Sequence, residues 1–257
     1  MSEGRVRYSK NEGVATVLFD RPEARNAMTW AMYEGLAAAC DAIASEADVR
    51  VAVFRGAGGA FVAGTDIQQF TAFKDGEDGI AYERRIDAAI DKIERVAKPI
   101  IAVVEGFCVG GGIAIAMACD FRIAAPSARF GVPIARTLGN CLSVGNVARL
   151  VAQFGPGRTK RMLMLAEMIS AEEAKACGFV DVLAAEGDIE TKLAEMCKKL
   201  LGHAHITMRN AKEAIRRIRT ANLPDGADLI RDAYGSADFK EGVEAFLAKR
   251  APNWQGR

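Results

Sequence analysis

Short runs of β-branched and apolar residues punctuate the first half of the chain, and segments with helical spacing separate them. VATVLF (14–19), VAVFRG (51–56), IIAVVEG (100–106) and FRIAA (121–125) predict strands. These runs are apolar on both faces, which predicts a buried, largely parallel sheet. AMYEGLAAACDAIAS reads as an amphipathic helix capped by Thr29, and YERRIDAAIDKIERVA brings Ile86, Ala89, Ile90 and Ile93 to one face. After about residue 143 the pattern reads as helical throughout, with LPDG (223–226) breaking it before the terminal helices. VAVFRGAGGAF and IAVVEGFCVGGG resemble each other and lie 50 residues apart. Each is a strand, a charged residue and a glycine-rich turn, which points to a repeated strand–strand–helix unit coiled into a spiral. The expected class is α/β, with a core over 1–200 and a C-terminal helical region over 201–257. Within that region, DAYGSADFKEGVEAFLAKRAPNW docks separately or against a neighbouring subunit.

Half of the 257 residues are hydrophobic, enough for a sizeable core. The formal net charge of +1 gives no electrostatic case for nucleic acid. The polar start MSEGRVRYSKNEG lacks the apolar stretch of a signal peptide, and no later run is long enough to span a bilayer, so a cytoplasmic protein is expected. Six scattered cysteines without a CxxC read as reduced, mostly buried thiols. Histidine narrows the chemistry most. There are two, His203 and His205, in a polar stretch that reads as a solvated helix start. A Ser-His-Asp site or a multi-histidine metal site has little to draw on, so no metal is expected and acid–base work falls to Asp, Glu, Cys or Tyr.

The glycine turns are the next candidates. GAGG (56–59) lacks the Gly-Lys-Ser/Thr of a phosphate loop, and GGG (110–112) is not GxGxxG. By spacing alone, close strand–helix packing and ligand approach both stand for GGG. A second reversal, FVAGTDIQQF (61–70), runs from a strand end into a helical segment that Asp66 can cap. Converging, the two reversals would aim the backbone N–H groups of Thr65 and Gly111 at one point. Two such donors make an oxyanion hole, which stabilises negative charge on a thioester oxygen.

RPEARNAMT, AVFRGAGGAFVAGTDI, KPIIAVVEGFCVGGGIAIAMACDFRIAAPSARFGVP, ISAEEAKACGFVD and DFKEGVEAFLAKRAPNW together resemble the crotonase superfamily, the enoyl-CoA hydratase/isomerase family. The resemblance covers essentially the whole chain. It implies a spiral of strand–strand–helix units, a C-terminal helical part, and assembly as a homotrimer or dimer of trimers. It implies coenzyme A as part of the thioester substrate, with no permanently bound cofactor, and Thr65 and Gly111 as the amides that hold the thioester oxygen. Ala24 and Arg25 match the family's CoA-binding stretch. Ala63, Asp66 and Ile67 match the wall that lines CoA, and Phe246 and Lys249 match residues that reach it, often across a subunit interface. Lys249 would offer a point charge to phosphate.

Two positions depart from the family's hydratase pattern. Glutamates expected at GGGxE and FGxPE are Ala114 and Ile134 here. Each positioned acid or base is typically worth about 10²- to 10⁴-fold, and hydrocarbon supplies neither. The segment PIARTLGNCLSVGN also differs, bringing Arg136, Asn140, Cys141 and Ser143 beside the expected acyl pocket. Asn140 is the most attractive catalytic candidate of the four, because the resemblance implies a polar or phenolic group near that position in decarboxylases of the superfamily, and Arg136 could recognise a substrate carboxylate. Nothing near Cys141 would lower its pKa. The structural alternative is that Ser143 caps the next helix and Asn140 turns the loop. Asp75, Glu77, Asp78, Tyr82 and Glu83 fall in a stretch where relatives deliver catalytic groups, yet KDGEDG also reads as a solvated loop. Three functions fit. A decarboxylase-like acyl-CoA enzyme is favoured, because loss of CO₂ leaves an enolate without a base. An inactive acyl-CoA-binding protein and a hydratase or isomerase with a carboxylate from 75–83 are the alternatives.

Overall fold

A computed structural model describes residues 3–256. Met1, Ser2 and Arg257, which close the two expected segments, lie outside the described residues. The polar start forms β1 (Arg5–Asn11), which pairs antiparallel with β2 (Val14–Asp20). Their two-residue loop puts Glu12 and Gly13 at φ 47° and 80°, the left-handed geometry that suits the twist of a tight hairpin. Thr29 caps α1 (Trp30–Ser45) by accepting from the Met32 N–H. α1 is the crossover that lets β3 lie parallel to β2.

A strand–strand–helix unit then repeats. β3 (Val51–Gly56), β4 (Val62–Ala63) and α2 (Gly76–Arg95) form the first turn. β5 (Ile100–Val104), β6 (Phe107–Val109) and α3 (Gly111–Ala118) form the second. β7 (Phe121–Ala124), β8 (Arg129–Gly131), α4 (Ile134–Thr137) and α5 (Val144–Met164) form the third. The first strand of each unit joins one sheet and the second strand joins another. β9 (Met168–Ser170), α6 (Ala171–Ala176) and β10 (Val182–Leu183) follow, so the stretch after 143 is not wholly helical. The sheets run β1-β2-β3-β5-β7-β10 and β4-β6-β8-β9, parallel except for the β1/β2 and β8/β9 pairs. This is the expected spiral. The remaining helices are α7 (Ile189–Leu201), α8 (His205–Thr220), α9 (Ala227–Gly235) and α10 (Ala237–Leu247). α9 packs on α2, and α10 on the 3-10 turn at 67–72, within the same chain. Among the described residues, no helix is long and apolar enough to cross a membrane.

The core is filled by large apolar side chains, with Phe19 edge-on to both Phe54 and Phe61. KDGEDG is not a loose loop. Asp75 accepts from the Glu77 and Asp78 N–H groups, and Asp78 accepts in return from the Asp75 N–H. That reciprocal cap starts α2. On α2, Ile86, Ile90 and Ile93 are buried as the periodicity predicts, and Ala89 lies at the edge of that stripe.

Candidate active site

Each glycine of the triplet has its own physical reason. Gly110 sits at φ 54°, which a side chain rarely adopts. A Cβ on Gly112 would lie 2.0 Å from the Val62 carbonyl oxygen, so α3 packs directly on β4. A Cβ on Gly111 would lie 2.6 Å from the Tyr33 hydroxyl and 3.3 Å from Thr65 Oγ1. The packing reading and the ligand reading thus hold together: the register Ala63↔Val109 of β4 and β6 carries the two chains on until Thr65 faces Gly111.

Both amides are left for something else. Met28 N–H donates to the Gly64 oxygen, and Asp66 N–H donates to the Met28 oxygen. In such a parallel bridge the N–H of the intervening Thr65 points away from Met28. Gly111 is the first residue of α3, where the helix offers no acceptor. Among the described residues, no protein acceptor takes either N–H. The arrangement can receive a developing negative charge, helped by the positive end of α3.

The Thr65 side chain is equally fixed. Its Oγ1 is hydrogen-bonded to Tyr33 OH at 2.8 Å and to Tyr82 OH at 2.9 Å, and Thr65 is only 8% exposed. Burial raises both phenols above their ordinary pKa, so they stay neutral. Tyr33, from α1, was not visible as a site residue because an aromatic on an apolar stripe reads as core.

A cavity of about 480 Å³ opens at these amides. Ala24, Arg25, Ala63, Asp66, Ile67, Phe246 and Lys249 line it, as do Ala114, Ile134 and Asn140. Phe246 and Lys249 reach the cavity of their own chain. Arg25 and Lys249 are exposed cations at its mouth. Arg25 lies over the Phe107 ring at 4.7 Å, and Asp66 both caps the 67–72 turn and pairs with Arg21 at 2.8 Å. Arg136 is the exception. Ile134 and Leu138 share the inward face of the short α4 turn, which leaves Arg136 on the opposite side, exposed and off the cavity wall.

The carboxylates of 75–83 separate cleanly. Asp75 and Asp78 cap α2, and Glu77 pairs with Arg231 at the surface. Glu83 lies on the cavity wall, 2% exposed, on the same α2 stripe as Ile86 and Ile90. Its Oε1 accepts from Tyr234 OH at 2.7 Å and its Oε2 from the Ser143 N–H at 3.0 Å. Burial pushes its pKa up to about 7; the two donors pull it down and the nearby Asp87 charge adds to the rise. Asn140 Nδ2 donates to Tyr234 OH at 3.0 Å, which fixes the amide beside this carboxyl. Ser143 does cap α5, accepting from the Asn146 N–H. Burial, with Glu83 nearby, pushes the Cys141 thiol up to about 12, so it is not a poised nucleophile. A carboxylate in phase with a buried isoleucine stripe is a signal that the sequence contained. Tyr234, from the other end of the chain, gave none.

A parallel spiral with a free amide pair, an apolar cavity and cations at its mouth is the architecture of an acyl-thioester enzyme. The comparisons give the family. The sequence model of the enoyl-CoA hydratase/isomerase family matches residues 9–257. The chain is 32% identical to a crotonyl-CoA hydratase of Syntrophomonas wolfei over 262 residues, covering 99% of each. It is 31% identical to a 2,3-dehydroadipyl-CoA hydratase of Escherichia coli, over 97% of this chain and 98% of the relative. Among solved structures it resembles methylmalonyl-CoA decarboxylase bound to 2-nitronate-propionyl-CoA, with TM-score 0.90 and 26% identity over 98% of this chain and 99% of that one. An enoyl-CoA hydratase from Mycobacterium avium subsp. paratuberculosis matches with TM-score 0.83 and 27% identity, over 97% and 98%. The chain belongs to the enoyl-CoA hydratase/isomerase family, within the crotonase superfamily.

Proposed function

We propose that the chain acts on acyl-CoA thioesters through an enolate, and that it makes the enolate by releasing CO₂ from a 2-carboxyacyl-CoA. One observation carries this reading. The amides of Thr65 and Gly111 face a cavity whose wall is hydrocarbon at Ala114 and Ile134. Hydration needs a base for water and an acid for the α-carbon, and those two positions supply neither. Loss of CO₂ needs no base. It leaves an electron pair on the α-carbon that spreads onto the thioester oxygen, where the two N–H donors and the α3 terminus meet it. An apolar wall favours departure of a charge-dispersed group. The likeness to methylmalonyl-CoA decarboxylase over nearly the full length supports the same chemistry.

The CoA moiety would lie along Ala24, Ala63, Asp66, Ile67 and Phe246, with Arg25 and Lys249 meeting phosphates at the mouth. Asn140, held by Tyr234, would border the acyl group. The family resemblance also supports a trimer or dimer of trimers, which light scattering measures.

A second reading has one specific observation in its favour. Glu83 could act as a carboxylate base and move a proton along a neutral enoyl chain. The test is proton NMR of malonyl-, methylmalonyl- and enoyl-CoA thioesters with the enzyme in D₂O. Loss of CO₂ with deuterium at the α-carbon is expected. Double-bond migration without CO₂ loss would favour the second reading, and tight binding without turnover would make this a binding protein.

A further inference from the structure

We propose that Glu83 is the proton-transfer residue of this site: its neutral carboxyl protonates the α-carbon of the enolate, and Tyr234 and the Ser143 N–H position it. The inference rests on the enolate reading above and adds what that reading lacks, a source for the proton.

The cavity wall carries two carboxylates among the described residues, Asp66 and Glu83. Asp66 is committed to Arg21 and to the cap of the 67–72 turn. Glu83 has no Lys or Arg partner among the described residues. A carboxyl group has about four acceptor sites, and two are used, one on each oxygen. Both oxygens therefore keep a lone pair on which a proton can sit. The two donors come from separate parts of the fold, α9 and the residue before α5, so the carboxyl is clamped rather than swinging. Its charged and titratable neighbours are few. Tyr82 adjoins it on α2 and Tyr33 faces it from α1; both phenols are neutral. Tyr234 is its own donor from α9, and Cys141 faces it from the loop as a neutral thiol. Asp87 stands one turn along α2, within 3.9 Å of Arg149. Nothing in this set neutralises a Glu83 anion, so the group exchanges its proton near neutral pH.

The step balances. Heterolysis of the bond between the α-carbon and CO₂ leaves its electron pair on the enolate. That pair takes the proton from Glu83, forming the C–H bond and leaving Glu83 as a carboxylate. One proton from water restores the acid. One CO₂ leaves and one proton is consumed per turnover.

The experiment reads the same proton transfer in reverse. Exchange of the α-protons of butyryl-CoA is followed by NMR in D₂O with wild type, Glu83→Gln and Tyr234→Phe, across pH 5 to 9. In this direction the carboxylate is the active form, so wild-type exchange should rise through about pH 7. Glu83→Gln should lower exchange by about 10²- to 10⁴-fold, with butyryl-CoA affinity by calorimetry within about threefold. Tyr234→Phe removes a hydrogen bond that favours the charged form, so its inflection should move to higher pH. A merely structural role would not move it, and this arm stands even where Glu83→Gln folds poorly. Exchange in Glu83→Gln at the wild-type rate, or an unmoved inflection in Tyr234→Phe, overturns the Glu83 assignment and leaves the enolate reading in place. A wild type that binds butyryl-CoA but neither exchanges it nor decarboxylates any carboxyacyl-CoA overturns both.

Discussion

Gly111→Ala puts a methyl group where the Tyr33 hydroxyl already is. The separation would be 2.6 Å, against an ordinary contact of 3.4 Å or more, so about 0.8 Å must be found. The phenol cannot simply retreat. Its ring is 3% exposed and packs against Trp30 at 5.9 Å, and its oxygen is tied to Thr65 Oγ1. The alternative is that the start of α3 shifts and carries the Gly111 N–H with it. Losing one oxyanion donor typically costs about 10²- to 10³-fold, and a misplacement of about 1 Å costs a similar amount. Overpacking of this kind costs about 1–3 kcal/mol of stability. Tyr33→Phe removes the oxygen that the methyl group meets, and alone it should cost about 0.5–1.5 kcal/mol for the lost hydrogen bond. The double variant should therefore be more stable than the sum of the singles, and should recover at least about tenfold of the lost exchange rate. The assay pairs butyryl-CoA exchange in D₂O with urea unfolding for the four members of the cycle. Gly111→Ala within threefold of wild type, or strictly additive singles, would refute the placement of Tyr33 beneath the amide pair.

Glu83 also carries a stability signature. Because its native pKa of about 7 lies above the usual 4.5, the folded chain holds the proton more tightly. That contribution is fully present below about pH 4.5 and is lost as pH rises through about 7, a change of about 3 kcal/mol. Glu83→Gln should gain on wild type by roughly that amount between pH 5 and 8 in urea unfolding, and a pH-independent difference would sink the idea. Thr65→Val keeps the backbone N–H but leaves two buried phenols without their shared partner. A loss of about 2–4 kcal/mol in unfolding free energy is expected, and a loss under about 1 kcal/mol would mean that the hydroxyl chain is idle. Arg149, 2% exposed, binds Asp91 at 2.7 Å and Glu94 at 3.0 Å. Arg149→Leu leaves Glu94 with one partner fewer and should cost about 3–5 kcal/mol; a smaller loss by thermal or urea unfolding would show that solvent compensates.

The strands legible in sequence are the apolar runs in the interior of the six-stranded sheet. β3 and β5 are runs of β-branched and apolar residues buried along most or all of their length, β2 buries Ala15, Val17 and Phe19 and leaves its other face half-buried, and β7 buries Arg122, Ile123 and Ala124. β1 was not legible because it is an edge strand, with Arg5, Arg7 and Ser9 exposed in alternation with Val6 and Tyr8. β9 and β10 span three and two residues, too few for a period to register. KDGEDG looked like a loop because the acidic residues that start a helix are the same residues that populate loops.

The site divides along a similar line. Thr65 and Gly111 stand out in sequence because each follows a glycine, Gly64 and Gly110, whose φ of 97° and 54° a side chain rarely adopts. Charge without phase does not place Arg136: on a one-turn helix whose inner face is Ile134 and Leu138, position 136 points out and off the cavity wall. Glu83 is the converse. Its charge suggested solvent, but its phase with Ile86, Ile90 and Ile93 put it inside. What no local pattern could supply is the reason a carboxyl tolerates that place. The Tyr234 hydroxyl and the Ser143 N–H reach it from distant parts of the chain, and only the closed spiral brings them together. Ala114 and Ile134 present hydrocarbon to the cavity. The fold places one carboxyl on the same cavity from α2, and gives it an affinity for the proton that neither glutamine nor a solvated glutamate would have.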